Sequence, residues 1–396
     1  MMKIERVEVM VVSLPPRREH PTNTGGGRVP IGRYVLTRIL AGGLEGWGEA
    51  SVLKEWGGDF GRYYGEEPRT TARLIQEVLA PAIIGLDAMA IGTVVDRLDE
   101  TVKGYPYAKA SIDIALHDLV GRATGLPVYR LLGGPYRDRI PIAHSLGVLS
   151  DDRVLSEVEA AVSEGCKTIK LKVGLGDTTR DVRIVHEVRR LVGPTIDVTV
   201  DANQGWGDAK TAIRAIHAMH DDNVLFVEQP VEGLSEMAKV TRGVDVPVMA
   251  DESAWTARDV LEIAKLDAAD AISIYTTKPG GLHKALKMGA VAEAAGFPCN
   301  VNGSHETGVG NAANIHLAAA LRMARHASVL TVSGPAENHP TKMVGYMYLD
   351  DIVAEPMTYD DGFIVVPDLP GLGFTIDAKK IKRYQQGSTL TVSEGA

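Results

Sequence analysis

Lys170 and Lys172 stand one residue apart in "TIKLKVG" (Thr168 to Gly174), an otherwise apolar run that reads as a buried strand. Residues i and i+2 share a strand face, so the two ammonium groups point to one side. Taken alone, the pair also suits an edge strand that uses charge to discourage pairing with other chains. The chain then continues the pattern with acids. Asp201 and Asn203 follow the apolar run of "VTVDANQ", Glu228 that of "LFVEQP", Asp251 and Glu252 that of "VMADES", and Lys278 that of "IYTTKPGG". From Lys172 to Lys278 the steps are 23 to 29 residues, about one strand–helix unit each. Each polar residue therefore falls at a corresponding height on the next strand.

A single acid in such a place would be read as the cap of the following helix. Three in consecutive units, flanked by lysines, are a different case. Pointing at one spot in a low-dielectric site, Asp201, Glu228 and Asp251 would repel one another by several kcal/mol. A hard divalent cation removes that repulsion. Three carboxylate oxygens, with places left for water or substrate, suit Mg²⁺ or Mn²⁺, and no His or Cys is in register to prefer zinc. The lysines then read as bases, because a neighbouring cation disfavours the ammonium form. Lys170 and Lys172 precede the first acid and Lys278 follows the third. A carboxylate bound to the cation would have a base on each face of its α-carbon, and the cation would stabilise the enediolate left by the departing proton.

The elements that must position these residues change character along the chain. Residues 1–135 read as strands followed by helices, an α+β capping domain. "KIERVEVMVVSL" and "RYVLTRILAGGLEGWGEAS" suggest a meander, and "TTARLIQEVLAPAIIG" and "YAKASIDIALHDLVGRATG" have helical spacing. Two loops without periodicity, "PPRREHPTNTGGGRVPIG" and "VLKEWGGDFGRYYGEEP", are candidate lids or binding loops. In the second, Trp56, Asp59, Arg62 and Tyr63 are candidate specificity contacts; in the first, Arg28 and Arg33 are candidate partners of a distal carboxylate. Residues 136–335 alternate Val/Ile-rich runs with helical segments. Eight such units, from "IPIAHSLGVL" to "SVLTVSGPAE", predict a parallel (β/α)8-type barrel, whose active sites lie at the C-terminal ends of the strands. An open doubly wound sheet is the rival, but no GxGxxG follows an early strand. Residues 336–396 are expected to return to the capping domain. His144, on the first barrel strand, could reach the mouth, although a core histidine is the plainer reading.

Composition narrows the function classes. Lys and Arg total 42 against 51 Asp and Glu, a formal charge of −9 with no basic half, which argues against nucleic acid. Two cysteines, Cys166 and Cys299, form no CxxC pair and fit a reducing, cytoplasmic setting. No run approaches the length of a membrane span, and the N-terminus lacks the apolar core of a signal peptide.

"KLK", "DANQGW", "VEQP", "ADES" and "KPGG" together resemble the enolase superfamily, in particular its muconate-lactonizing subgroup (the mandelate racemase/muconate lactonizing enzyme family). "AKASIDIALHDLVGRATGLPVYRLLGG" resembles the family's link between cap and barrel. The resemblance implies Asp201, Glu228 and Asp251 as ligands of Mg²⁺ and Lys172 and Lys278 as the opposed acid/base pair. It further implies that Lys170 orients the substrate carboxylate and tunes Lys172, that the two N-terminal loops form a specificity lid, and that the chain is a homo-oligomer acting on a small carboxylate. Asn203, Glu252, His305, Glu306 and Trp56 are candidate substrate or supporting contacts. Two departures stand out. "GSHETG" places His305 before Glu306, where the subgroup carries an apolar residue, and "SGPAENHP" lacks the Asp-x-Asp of dipeptide epimerases. The resemblance implies a muconate cycloisomerase-type enzyme. Racemisation or epimerisation of an amino acid, dehydration of a hydroxy acid, and a catalytically dead binding barrel remain as alternatives.

Overall fold

The computed structural model describes residues 1–17, 20, 32–63 and 65–394. β1 (Ile4–Ser13), β2 (Arg33–Ala41) and β3 (Leu44–Ala50) form an antiparallel meander. Gly42 and Gly43 turn β2 into β3 with φ of 58° and 74°, the left-handed pair that a two-residue hairpin needs. The helix Pro106–Thr124 lies on β3 at very close range. A Cβ on Gly48 would stand 1.9 Å from the Ser111 carbonyl oxygen, so only glycine admits this contact. Asp118 of that helix accepts the Trp47 N–H at 2.9 Å.

The run expected to be the first barrel strand divides in two. β4 (Arg139–Pro141) pairs antiparallel with a later strand, and β5 (Ala143–Leu146) opens the parallel sheet. β6 (Thr168–Lys172), β7 (Asp197–Asp201), β8 (Val227–Glu228), β9 (Val248–Ala250), β10 (Ala271–Ile274) and β11 (Cys299–Val301) follow in chain order across that sheet. Each successive pair is parallel, and helices make the crossovers. The predicted eighth strand is not regular. Ser328 and Val329 close the seam through Ala143 N–H to the Ser328 carbonyl (2.9 Å) and Gly303 N–H to the Val329 carbonyl (2.9 Å). The amides that would extend the ladder are taken by side chains instead: Val329 N–H by Asn302 Oδ1 and Thr331 N–H by Asn311 Oδ1.

β12 (Tyr359–Asp360) and β13 (Phe363–Val365) form a hairpin that adds to β4, and β14 (Leu390–Ser393) pairs antiparallel with β1. One apolar core fills the barrel and its helices, and a second lies under the N-terminal sheet. No helix among the described residues is long and apolar enough to cross a membrane.

Glu49, at the end of β3, joins the two parts. Its buried carboxylate accepts Thr307 N–H (3.0 Å), Thr307 Oγ1 (2.6 Å) and Gly310 N–H (2.9 Å), at the start of the barrel helix Gly308–Ala320. Burial pushes this carboxyl up to about 8; the Thr307 hydrogen bonds work against the rise and the nearby Glu306 adds to it. The folded value lies above the ordinary 4.5, so this contribution to stability is whole at low pH and is lost as pH rises toward 8. We expect the melting temperature to fall between about pH 5 and pH 9, and to fall less steeply in Glu49→Gln. Thermal circular dichroism across that range checks it; an equal slope in the variant assigns the dependence elsewhere.

Candidate functional site

Strand register brings the predicted residues to one rim. Lys172 pairs with Asp201 across β6 and β7, and Asp201 with Glu228 across β7 and β8. Asp251 follows the last residue of β9, and Lys278 lies beyond the end of β10. The sequence alone did not show how the cations and anions would pair. Lys170 Nζ bonds Glu228 Oε1 at 2.7 Å and Asp201 Oδ2 at 2.9 Å. Lys172 Nζ bonds the same Asp201 oxygen at 2.6 Å and Asn203 Oδ1 at 2.7 Å. Lys278 Nζ bonds Asp251 Oδ1 (2.7 Å), the Asp251 carbonyl (2.9 Å) and the Ser273 carbonyl (2.8 Å). Lys172 thus sits at the Asp201 end of the row Asp201–Glu228–Asp251 and Lys278 at the Asp251 end, while Lys170 bridges Asp201 and Glu228.

Burial disfavours the ammonium form of Lys170, but Asp201, Glu228 and Asp251 more than offset this and raise its pKa. The direction is opposite to the one expected from a neighbouring cation, because carboxylates are its immediate partners. Burial likewise opposes the Asp201 carboxylate, and Lys170 and Lys172 overcome it, so Asp201 is lowered. Glu228 is pushed up to about 8 by burial; Lys170 opposes the rise, and Asp201 and Asp251 add to it. Among the described residues, no three Asp, Glu, His or Cys side chains already stand as a cation-holding cluster. The donor chemistry nonetheless suits a hard cation. All three groups are carboxylates, and among the described residues Glu228 Oε2 is buried without a hydrogen-bond partner.

A cavity of about 230 Å³ opens beside this row. Lys170, Lys172, Asn203 and Asp251 line it, with Trp56, Tyr275 and His305 among the other walls. Trp56 is buried, its ring 5.1 Å from that of Tyr275, and Lys278 Nζ lies 4.5 Å from the Tyr275 ring centre. His305 adopts a left-handed backbone (φ 61°) and its ring meets that of His20 edge-on at 4.7 Å. The hydroxyls of Tyr34 and Tyr348 donate to its carbonyl. A non-glycine residue held at such a φ is strained, and such strain collects at binding sites.

Other predicted residues lie elsewhere. Glu306 is not on the cavity wall; it accepts Ser51 Oγ (3.1 Å) and Ser304 N–H (2.8 Å). Glu252 accepts Asn203 Nδ2 at 2.8 Å, behind Lys172. His144 is wholly buried and takes the Gly345 N–H through Nδ1 at 3.4 Å. Arg33 lines the cavity, whereas Arg62 pairs with Asp259 (2.9 Å) and Tyr63 stacks on Trp255. Arg28 lies outside the described residues. Sequence reading passed over Gln229, whose Oε1 accepts Asp251 N–H (2.9 Å) and Ser253 N–H (3.1 Å), and Tyr275. The "EQP" and "IYTT" segments carried both, but neither residue has a charge to single it out.

Comparison with known proteins bears on the whole chain. Residues 153–380 match the family described as enolase C-terminal domain-like, and residues 6–133 match the mandelate racemase/muconate lactonizing enzyme N-terminal domain. The N-succinyl-L-Arg/Lys racemase of Bacillus cereus is 31% identical over 378 residues, 95% of this chain and 96% of its own. The crystal structure of that racemase superposes with a TM-score of 0.89, covering 99% of this chain and 100% of the other at 29% identity. Muconate cycloisomerase 1 of Rhodococcus opacus is 31% identical over 97% of this chain and 98% of its own. The L-Ala-D/L-Glu epimerase of Bacillus subtilis is 33% identical over 94% and 96%. The barrel, the N-terminal sheet and these matches together place the chain in the mandelate racemase/muconate lactonizing enzyme family of the enolase superfamily, as an enzyme of the isomerase kind.

Proposed function

We propose that the chain is a Mg²⁺-dependent enzyme of the muconate cycloisomerase type that moves a proton at the carbon α to a substrate carboxylate. The observation that carries this reading is the placement of Lys172 and Lys278 on the carboxylates at the two ends of the row, Asp201 and Asp251. Asp201, Glu228 and Asp251 would hold the cation. When bound, it supplies charge neutralisation among the acids and stabilises the negative charge that develops on the substrate carboxylate. Lys172 and Lys278 take and return the proton from opposite faces. Asn203 steadies Lys172 through a 2.7 Å bond and is itself held by Glu252. Lys170 adds a buried positive charge beside Lys172 and faces the cavity where the carboxylate would lie. Trp56 and Tyr275 wall the reacting end from water. In this reading residues 1–135 cap the barrel of residues 136–335, and residues 336–396 return to the cap.

A second reading, racemisation of an N-acyl amino acid, is favoured by the pair of lysines and by the similarity to the Bacillus cereus racemase. Incubation in D₂O with Mg²⁺ and a panel of muconates, N-succinyl amino acids and dipeptides tests both. Deuterium at the α-carbon of an amino-acid substrate, with loss of optical activity, selects racemisation; lactone formation from a muconate selects cycloisomerisation. Absence of any exchange or ring closure, with or without Mg²⁺, overturns the catalytic assignment.

A further inference from the structure

Asp59 belongs to the N-terminal loop "WGGDFG", yet its carboxylate is buried in the barrel mouth. Oδ1 accepts Gln204 Nε2 (2.8 Å) and Gly233 N–H (3.1 Å), and Oδ2 accepts Ser253 Oγ (2.7 Å). Those three residues lie on the turns that follow Asp201, Glu228 and Asp251 respectively. One side chain from the cap thus ties together the three segments that leave the candidate ligands.

The contacts continue inward. Gln229 Nε2 donates to Ser253 Oγ at 2.8 Å, and Gln229 Oε1 receives the amides of Asp251 and Ser253. Asn203, Gln204 and Gln229 all hold left-handed backbones, with φ of 41°, 67° and 38°. Such conformations persist only where surrounding contacts over-determine them. The loop itself is seated by independent means. A Cβ on Gly58 (φ 72°) would stand 2.6 Å from Trp255 Nε1, and the Tyr63 hydroxyl donates to Asp259 at 2.7 Å. Trp56, three residues before Asp59, closes the cavity wall.

The geometry points to Asp59 as a positioning residue that couples the seating of the cap loop to the cation affinity of the barrel rim. This rests on the reading that Asp201, Glu228 and Asp251 hold a divalent cation. Both Asp59 oxygens are engaged by Gln204, Gly233 and Ser253, and the residue is not among those that line the cavity. It fixes the turns from which the ligands project, and the same contacts add to the seating of the loop that carries Trp56. A substrate site walled by that loop and a cation site on that rim would then be assembled together.

Mn²⁺ titration of the full-length chain, read by the electron paramagnetic resonance of free Mn²⁺, tests the coupling. Asp59→Ala is expected to weaken Mn²⁺ binding by about 10- to 100-fold, the range for residues that orient ligands from behind. Asp59→Asn should recover part of the loss, because its amide oxygen can still accept from Gln204 and Gly233. Affinity within twofold of the parent in a folded Asp59→Ala protein overturns the assignment. If Asp59→Ala does not fold, Ser253→Ala removes only the hydroxyl between Asp59 and Gln229. A several-fold weaker Mn²⁺ affinity in that variant supports the coupling, and an unchanged one overturns it. Amide hydrogen exchange at residues 203–205, 229 and 251–253 separates this proposal from the cation reading. A parent protein that binds no Mn²⁺ removes the cation reading. Faster exchange at those turns in the variant then still supports positioning by Asp59, and unchanged exchange overturns it.

Discussion

Lys278→Met will lower turnover by about 10²- to 10⁴-fold, the usual contribution of a positioned acid or base. The loss should also be stereochemically lopsided. With Lys172 intact, α-proton exchange persists from one face of the substrate and disappears from the other; Lys172→Met should show the mirror pattern. Nuclear magnetic resonance of each enantiomer in D₂O reads this directly, and equal residual exchange of both enantiomers sinks the two-base arrangement. The two variants should differ in stability. Lys278 is the near-neighbour cation of a buried Asp251 oxygen and also bonds two carbonyls, so its removal leaves an uncompensated buried charge. Breaking one side of such a pair costs about 3–5 kcal/mol. Asp201 keeps Lys170 at 2.9 Å when Lys172 is replaced, so urea unfolding should show a clearly smaller cost there.

Glu228→Gln is the second large effect, and its two readouts should separate. Cation affinity should fall by at least about 100-fold, beyond the loss caused by disturbing a residue behind the ligands. Isothermal titration with Mn²⁺ measures it. Stability without cation should not fall with it. Glu228 stands between Asp201 and Asp251, which disfavour its charge, and its Oε2 has no partner among the described residues. An amide of the same shape removes the repulsion and keeps an oxygen for Lys170. A chelator-treated variant that melts well below the parent would show that the carboxylate charge is a net stabiliser, against this account.

Much of the rim was legible because strand-length apolar runs end in charged residues at a nearly constant interval. That interval places Lys172, Asp201, Glu228, Asp251 and Lys278 at one end of a parallel sheet without any coordinate. The pairing within the rim was not legible. Which oxygen of Asp201 two lysines share depends on side-chain rotamers that no spacing specifies. The irregularity of the expected eighth strand was hidden for a related reason. Its Val-rich text has strand propensity, but Asn302 and Asn311 intercept its amides, and such side-chain competition leaves no mark on local pattern. Asp59 illustrates the same limit. Glycines around it announce a tight turn, whereas its three partners lie 145 to 194 residues away.

The pairing of β14 with β1 has a consequence for how the molecule is made. During synthesis the meander of β1, β2 and β3 emerges first, but the strand that covers the free edge of β1 is translated only after the whole barrel. Until then β1 presents unpaired backbone amides and carbonyls to its surroundings, the condition under which nascent chains associate with one another. Ribosome-bound intermediates with a finished barrel would still carry an open seam along β1. β14 therefore acts as a closing stitch, and the N-terminal sheet is completed only after the barrel strands.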